Sequence, residues 1–107
     1  MNRRFPRTSL RTLIWLGQDG IFTQTPEILR DLSERGAFIQ TQQQFTRGSI
    51  LHLRFQLPFS DRLMSSTVIV RNRRDGEGVG VEVLDLLPQD RAELRDYVGD
   101  RVTSQVA

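Results

Sequence analysis

The sequence contains no cysteine, no lysine, a single histidine and no long apolar run. Without cysteine the chain can form no disulfide and has no thiolate for catalysis or metal binding. Its most apolar N-terminal stretch, residues 13–16 (LIWL), is far shorter than the about 20 residues that span a bilayer. The same stretch is too short for the apolar region of a signal peptide. These absences argue against membrane insertion and predict a cytoplasmic protein.

The scarcity of metal-binding and catalytic residue types argues against enzymatic chemistry. The single histidine, His52, lies on the polar side of a predicted strand and has no partner at metal-ligand spacing. Asp31, Ser33 and His52 can be drawn as a catalytic triad, but no nucleophile elbow surrounds the serine. We therefore predict a protein that is not an enzyme, holds no metal and uses no cofactor.

All fifteen basic residues are arginine, while the formal net charge is only +2. Arginine offers a planar fork that suits phosphate and aromatic rings. A genome that favours arginine codons explains the same count, so the charge alone says little about nucleic acid. The chain has six Phe, one Trp and one Tyr, and most fall at core positions of predicted strands. Only Phe5 clearly lies outside that pattern, which argues against a stacking platform for polynucleotides.

Short segments with a period of two dominate the chain up to residue 86. In residues 49–57 (SILHLRFQL), Leu51, Leu53 and Phe55 alternate with polar residues, which predicts a strand with one buried face. The Asp-Gly pair at 19–20 predicts a hairpin turn. The predicted strands cover residues 12–16, 21–25, 37–41, 49–57, 66–73 and 79–86. Beyond Pro26, residues 27–32 (EILRDL) either continue the second strand, which we favour, or make a short helical turn.

The pattern becomes helical after Pro88. An apolar stripe with helical spacing is formed by Ala92, Leu94, Tyr97 and Val98. Gly99 is a typical helix stop, so the predicted helix covers 88–99 and the predicted tail 100–107. The 107 residues thus predict one all-β domain, a small antiparallel barrel with a C-terminal α-helix beside its mouth.

Two polar motifs stand out against this pattern. In RRFPR (3–7), Pro6 favours an extended conformation of the residue before it. In DLSERG (31–36), Asp31 and Ser33 project from the same side if the chain is extended. Gly36 suits a tight turn or a close approach of backbone. Taken singly, the first motif is typical of a charged tail, and the second of a polar turn whose side chains bond local amides.

Together the motifs resemble the PilZ domain family. Arg3 and Arg7 form an R-x-x-x-R before the first strand, and Asp31, Ser33 and Gly36 form a D-x-S-x-x-G between the second and third strands. The resemblance extends over nearly the whole chain, through the strands GSILHLRFQLP, STVIVRNR and GVGVEV and the closing helix.

This resemblance implies a fold and a division of the chain. PilZ domains are six-stranded antiparallel β-barrels, so residues 1–107 are expected to form one PilZ-like domain. Residues 1–8 would be a flexible N-terminal ligand-binding loop, 9–86 the barrel, and 88–99 the C-terminal helix.

The resemblance also implies a ligand. Many PilZ domains are receptors for the bacterial second messenger cyclic di-GMP. Arg3 and Arg7 would grip its phosphates and guanines, Asp31 and Ser33 would hydrogen-bond guanine, and Gly36 would keep the approach clear. Arg4 and Arg35 are further candidate contacts. All these residues are candidates for one ligand-binding site.

A small receptor domain without an output module implies a downstream protein partner. Ordering of the N-terminal loop across the ligand would carry the signal to it. The alternative is a PilZ-like protein-interaction module in which ligand binding is weak or lost.

Overall fold

The computed structural model describes residues 8–58, 60 and 62–106, with the side chains of 14–22, 29–58, 60 and 62–99. Six β-strands precede one α-helix, as predicted. The elements are β1 (Thr8–Gln18), β2 (Ile21–Ser33), β3 (Gly36–Gln40), β4 (Ile50–Gln56), β5 (Leu63–Arg74), β6 (Gly78–Leu86) and α1 (Pro88–Val106). The predicted N-terminal loop, 1–8, lies outside the described residues except for Thr8, which begins β1.

The strands close into an antiparallel barrel in the order β1-β2-β3-β6-β5-β4. Two three-stranded meanders, β1 to β3 and β4 to β6, join along both edges, because β1 pairs with β4 and β3 pairs with β6. Closure gives every strand two neighbours and removes exposed sheet edges. In this ring the β3–β6 seam and the β1–β4 seam lie on opposite sides of the barrel.

The first hairpin explains two features of the sequence. Asp19 and Gly20 have φ values of 55° and 82°, as a two-residue type I′ turn requires. β2 then continues through Pro26, which pairs with Leu13 of β1. Its pairing with β3 starts only at Ile28, so the proline lies where β2 has one neighbour and its missing N–H is tolerated. The predicted continuation of this strand is confirmed.

Alternating apolar side chains fill the barrel. In β4, Leu51, Leu53 and Phe55 are buried and the residues between them are exposed, as predicted. Residues from all six strands and from α1 form one buried cluster. Burying each large aliphatic side chain contributes roughly 1.5–3 kcal/mol by removing apolar surface from water. The barrel is therefore a firm support for residues on its outer surface.

The helix α1 packs at the end of the barrel that carries the β2–β3 turn. Pro88 is its first residue, a position where a missing N–H costs nothing. Leu94 and Val98 are each 2% exposed and belong to the core cluster, which confirms the main part of the apolar stripe. Ala92 is exposed. Asp90, 2% exposed, pairs with Arg62 of the loop between β4 and β5.

The prediction that Gly99 ends the helix at 88–99 is wrong, because α1 continues to Val106 through most of the predicted tail. A glycine stops a helix by adopting a positive φ, and Gly99 is not among the glycines that do. It stays in the helical region, so the helix passes through it. Among the described residues, no helix combines the length and the apolar character needed to cross a lipid bilayer.

Candidate functional site

The DLSERG segment forms the irregular end of β2 and the turn into β3. The register with β3 shifts between Arg30 and Ser33, and Asp31 takes a φ of 51°. Aspartate tolerates this left-handed conformation better than most residues. The neighbours Leu32 and Ser33 are both buried, at 3% and 5% exposure. The chain is therefore not regularly extended here, and a bulge sets the side-chain directions.

This bulge still brings the predicted barrel residues together. Asp31, Ser33, Arg35 and Gly36 line one hollow of about 300 Å³ on the outer surface, which we call the motif hollow. The rest of its lining comes from β3, β6 and β5, namely Ala37, Phe38, Gly80, Val81, Glu82, Arg71, Asn72 and Arg74. The motif hollow thus crosses the β3–β6 seam.

Hydrogen bonds hold the turn beside the motif hollow in place. The backbone N–H of Arg35 donates to Ser33 Oγ at 3.1 Å, and the Arg35 carbonyl accepts from the Val83 N–H at 2.8 Å. The local side-chain bond expected of a polar turn is therefore present. A hydroxyl that accepts one hydrogen bond keeps its proton for donation. Ser33 can therefore serve the turn and a ligand at once.

Gly36 is required by a close backbone contact. A Cβ atom at this position would lie 2.2 Å from the carbonyl oxygen of Val81 and 3.3 Å from Cα of Glu82. Backbone atoms cannot move aside as a flexible side chain can, so any other residue would push β6 away from β3. The expectation of a close backbone approach at this glycine is confirmed.

Both signs of charge line the motif hollow. Arg71 Nε donates to Glu82 Oε1 at 3.0 Å, and the two side chains are 54% and 50% exposed. Asp31 adds a second carboxylate, and Arg35 and Arg74 add guanidiniums. Donors and acceptors at this spacing suit a ligand that carries phosphates and also the polar edges of a base.

The contribution of β5 and of Phe38 to the motif hollow was not predicted from the sequence. The Phe38 ring lies between two guanidiniums, with Cζ of Arg30 at 5.2 Å and Cζ of Arg74 at 5.3 Å from its centroid. Arg30 and Phe38 are direct partners across β2 and β3. The one available signal was the arginine-rich end of β5 (RNRR, 71–74), which follows its apolar part.

The helix α1 contacts the same motif from the other side, through Glu34. Arg91 Nη1 donates to the Glu34 carbonyl at 3.2 Å, and Arg95 Nε donates to Glu34 Oε2 at 2.5 Å. The hydrogen bond to Glu34, followed by the negative charge of that carboxylate, raises the pKa of Arg95 above its ordinary value. The middle of the DLSERG motif is thus attached to α1.

The predicted arginines of the first motif, Arg3, Arg4 and Arg7, lie outside the described residues. The described chain begins with Thr8, whose partner in β2 is Leu32, the residue between Asp31 and Ser33. The start of β1 therefore lies beside the DLSERG motif.

The described residues form no candidate metal centre. Within the described ranges, no three His, Asp or Glu side chains are grouped so that they could hold a metal ion. His52 is exposed on β4, and its ring centroid is 6.4 Å from that of Phe22. It lies on the polar face of its strand, as predicted.

Comparison with known proteins identifies the family. The sequence model of the PilZ domain matches residues 1–100. No curated protein sequence matches the chain. Among solved structures, the Bacillus subtilis inhibitor of motility (MotI/DgrA) is similar in fold, with a TM-score of 0.81 and 18% sequence identity. The alignment covers 97% of this chain and 53% of that one, so this chain spans about half the length of MotI/DgrA. Since the family match covers nearly the whole sequence, the chain belongs to the PilZ domain family.

Proposed function

We propose that this chain is a receptor for cyclic di-GMP and that the ligand binds in the motif hollow. The observation that carries the proposal is that Asp31, Ser33 and Gly36, the residues of the family's D-x-S-x-x-G motif, line a single open hollow. Membership of a family of receptors for this second messenger supports it.

The barrel residues of the proposed site recognise guanine. The Asp31 carboxylate accepts hydrogen bonds from guanine N1–H and its exocyclic amine, a pair of donors that no other common base presents in this arrangement. Ser33 donates its hydroxyl proton to the ligand, and Gly36 lets β3 and β6 stay close beneath it. These groups lie on paired strands, so they need little reorganisation on binding.

The other side of the proposed site is the N-terminal segment. Because Thr8 pairs with Leu32, the residues that precede Thr8 in the chain connect to the barrel beside the motif. Arg3 and Arg7 bind the phosphates through bidentate, charge-assisted hydrogen bonds, and Arg4 and Arg35 are additional contacts. Ordering of this segment costs conformational entropy, which the new contacts offset.

Signal output follows from this ordering. The ordered segment and the barrel beside it form a surface that a protein partner recognises only in the bound state. In this proposal the chain works in the cytoplasm as a receptor rather than an enzyme, and cyclic di-GMP is its only small-molecule ligand. In this proposal it recognises a dinucleotide rather than a polynucleotide.

Isothermal titration calorimetry with cyclic di-GMP tests the proposal. The wild type should bind, and Arg7→Ala and Asp31→Ala should each weaken binding roughly 10- to 100-fold, as loss of a charge-assisted contact of about 1.5–3 kcal/mol implies. Arg47→Ala is the matched control, because Arg47 is exposed in the loop after β3 and away from the motif hollow. Absence of heat from the wild type would reject the receptor function. Ligand-independent capture of a partner would then favour the interaction module.

A further inference from the structure

Phe38 occupies an unusual position for a phenylalanine in this barrel. It is 8% exposed, yet it lies apart from the described core cluster inside the barrel and lines the motif hollow on the outside. Its ring is covered by Arg30 on one strand and Arg74 on another. The two guanidiniums therefore bury this ring in place of apolar neighbours.

This ring holds Arg74 over the motif hollow. Gly80, the residue of β6 that pairs with Phe38, has no side chain, and the side chain of Asn72 from β5 fills the space where its Cβ would lie. Two neighbouring arginines form ion pairs, Arg71 with Glu82 at 3.0 Å and Arg73 with Asp75 at 3.4 Å. Arg74 forms no ion pair with any carboxylate in the described part of the chain.

The lining of the motif hollow thus includes both a donor group and an acceptor group. Asp31, at the β2 side, accepts hydrogen bonds, while Arg74, against Phe38, offers a planar fork of N–H donors. Phe38, Gly80 and Asn72 belong to the same lining. Guanine has the complementary pattern, with donors N1–H and the amine on one edge and acceptors O6 and N7 on the other.

We propose that Arg74, positioned by Phe38, is a specificity-determining residue that donates hydrogen bonds to O6 and N7 of the guanine whose donor edge faces Asp31. One guanine is then recognised on both edges by the barrel alone. Adenine is rejected because its amine would face the guanidinium, donor against donor. This inference rests on the proposed function.

The test compares cyclic di-GMP with its 7-deaza analogue, in which a C–H replaces N7 and the phosphates are unchanged. Calorimetry should show that Arg74→Gln weakens binding of cyclic di-GMP roughly tenfold or more, as loss of a bidentate base contact does. The wild type should prefer cyclic di-GMP to the analogue, and Arg74→Gln should reduce that preference. A role confined to packing on Phe38, or a phosphate contact, would leave the preference unchanged.

The matched control is Arg73→Gln, which removes the adjacent guanidinium that pairs with Asp75 outside the motif hollow. It should bind both ligands as the wild type does. If the wild type binds and Arg74→Gln keeps the same affinity, or the same preference for N7, the inference is overturned while the receptor function stands. If the wild type does not bind cyclic di-GMP, both are overturned.

Discussion

At the scale of single residues, the site depends on the absence of side chains as much as on their presence. Gly36 lets the β3 backbone approach β6, where a Cβ would lie 2.2 Å from the Val81 oxygen. At Gly80 a Cβ would lie 2.6 Å from Oδ1 of Asn72, so the Asn72 side chain occupies the space that the glycine leaves. Larger residues at either position would fill or deform the motif hollow.

Replacement of Gly36 by alanine should destabilise the barrel by about 1–3 kcal/mol, because the methyl group forces two backbones apart. Urea unfolding followed by circular dichroism measures this change. Gly99→Ala is the opposite case, since its added Cβ meets nothing within 4 Å and the residue lies in a helix. It should stabilise the protein by about 0.5–1 kcal/mol. Equal effects of the two substitutions would contradict this account of Gly36.

The residues of the motif could be predicted from the sequence, but their geometry could not. Asp31, Ser33 and Gly36 matched a family pattern. Such a pattern identifies residues but does not say in which direction their side chains point. The bulge arises from the positive φ of Asp31 and a register shift against β3. Both depend on pairing between strands, and a local period-two pattern does not encode a bulge.

At the scale of elements, α1 is attached to the barrel at two places besides its apolar face. Arg62 pairs with the buried Asp90 near the start of the helix and with Glu93 at 3.4 Å. Glu34 receives hydrogen bonds from Arg91 and Arg95 farther along. Because the pKa of Arg95 is raised, its guanidinium stays charged throughout the range below the ordinary pKa of arginine. The stability that this charge contributes is lost as the pH rises through the higher folded pKa.

Removal of the Arg62 guanidinium should leave Asp90 as a buried carboxylate without this partner. Arg62→Met is expected to cost about 1–2 kcal/mol, below the value for a fully buried pair, since Arg62 is 43% exposed and water screens it. Thermal unfolding measures this loss. Arg73→Met provides the comparison, because its partner Asp75 is 82% exposed and its removal should cost almost nothing. A similar loss in both variants would show that Asp90 does not depend on Arg62.

The elements themselves were largely predictable, and the exceptions have physical causes. Period-two alternation located all six strands, since a barrel has one buried face on each strand. Gly99 misled the prediction of the helix end because a glycine can stop a helix or stay within it, and its φ decides which. Arg74 was missed because its role depends on Phe38, 36 positions away in the sequence and on another strand.

At the scale of the whole molecule, the closed barrel separates two surfaces. The motif hollow crosses the β3–β6 seam, and the β1–β4 seam lies on the opposite side. A continuous buried core is packed between the two sides. Because such a core resists deformation, binding on one side should leave the backbone of the other side nearly unchanged. The fold class followed from the sequence, but this placement required the order in which the strands close.

Binding of cyclic di-GMP in the motif hollow is tested most directly by titrating ¹⁵N-labelled protein with this ligand and following the amide chemical shifts. We expect large shifts for Asp31–Gly36 and for the end of β5 around Arg74, and small ones for Leu51 and Leu53 on the opposite side. These shift changes should reach a plateau as the ligand concentration rises, as they do for a specific site. Unchanged spectra, or shifts confined to β1 and β4, would contradict binding in the motif hollow.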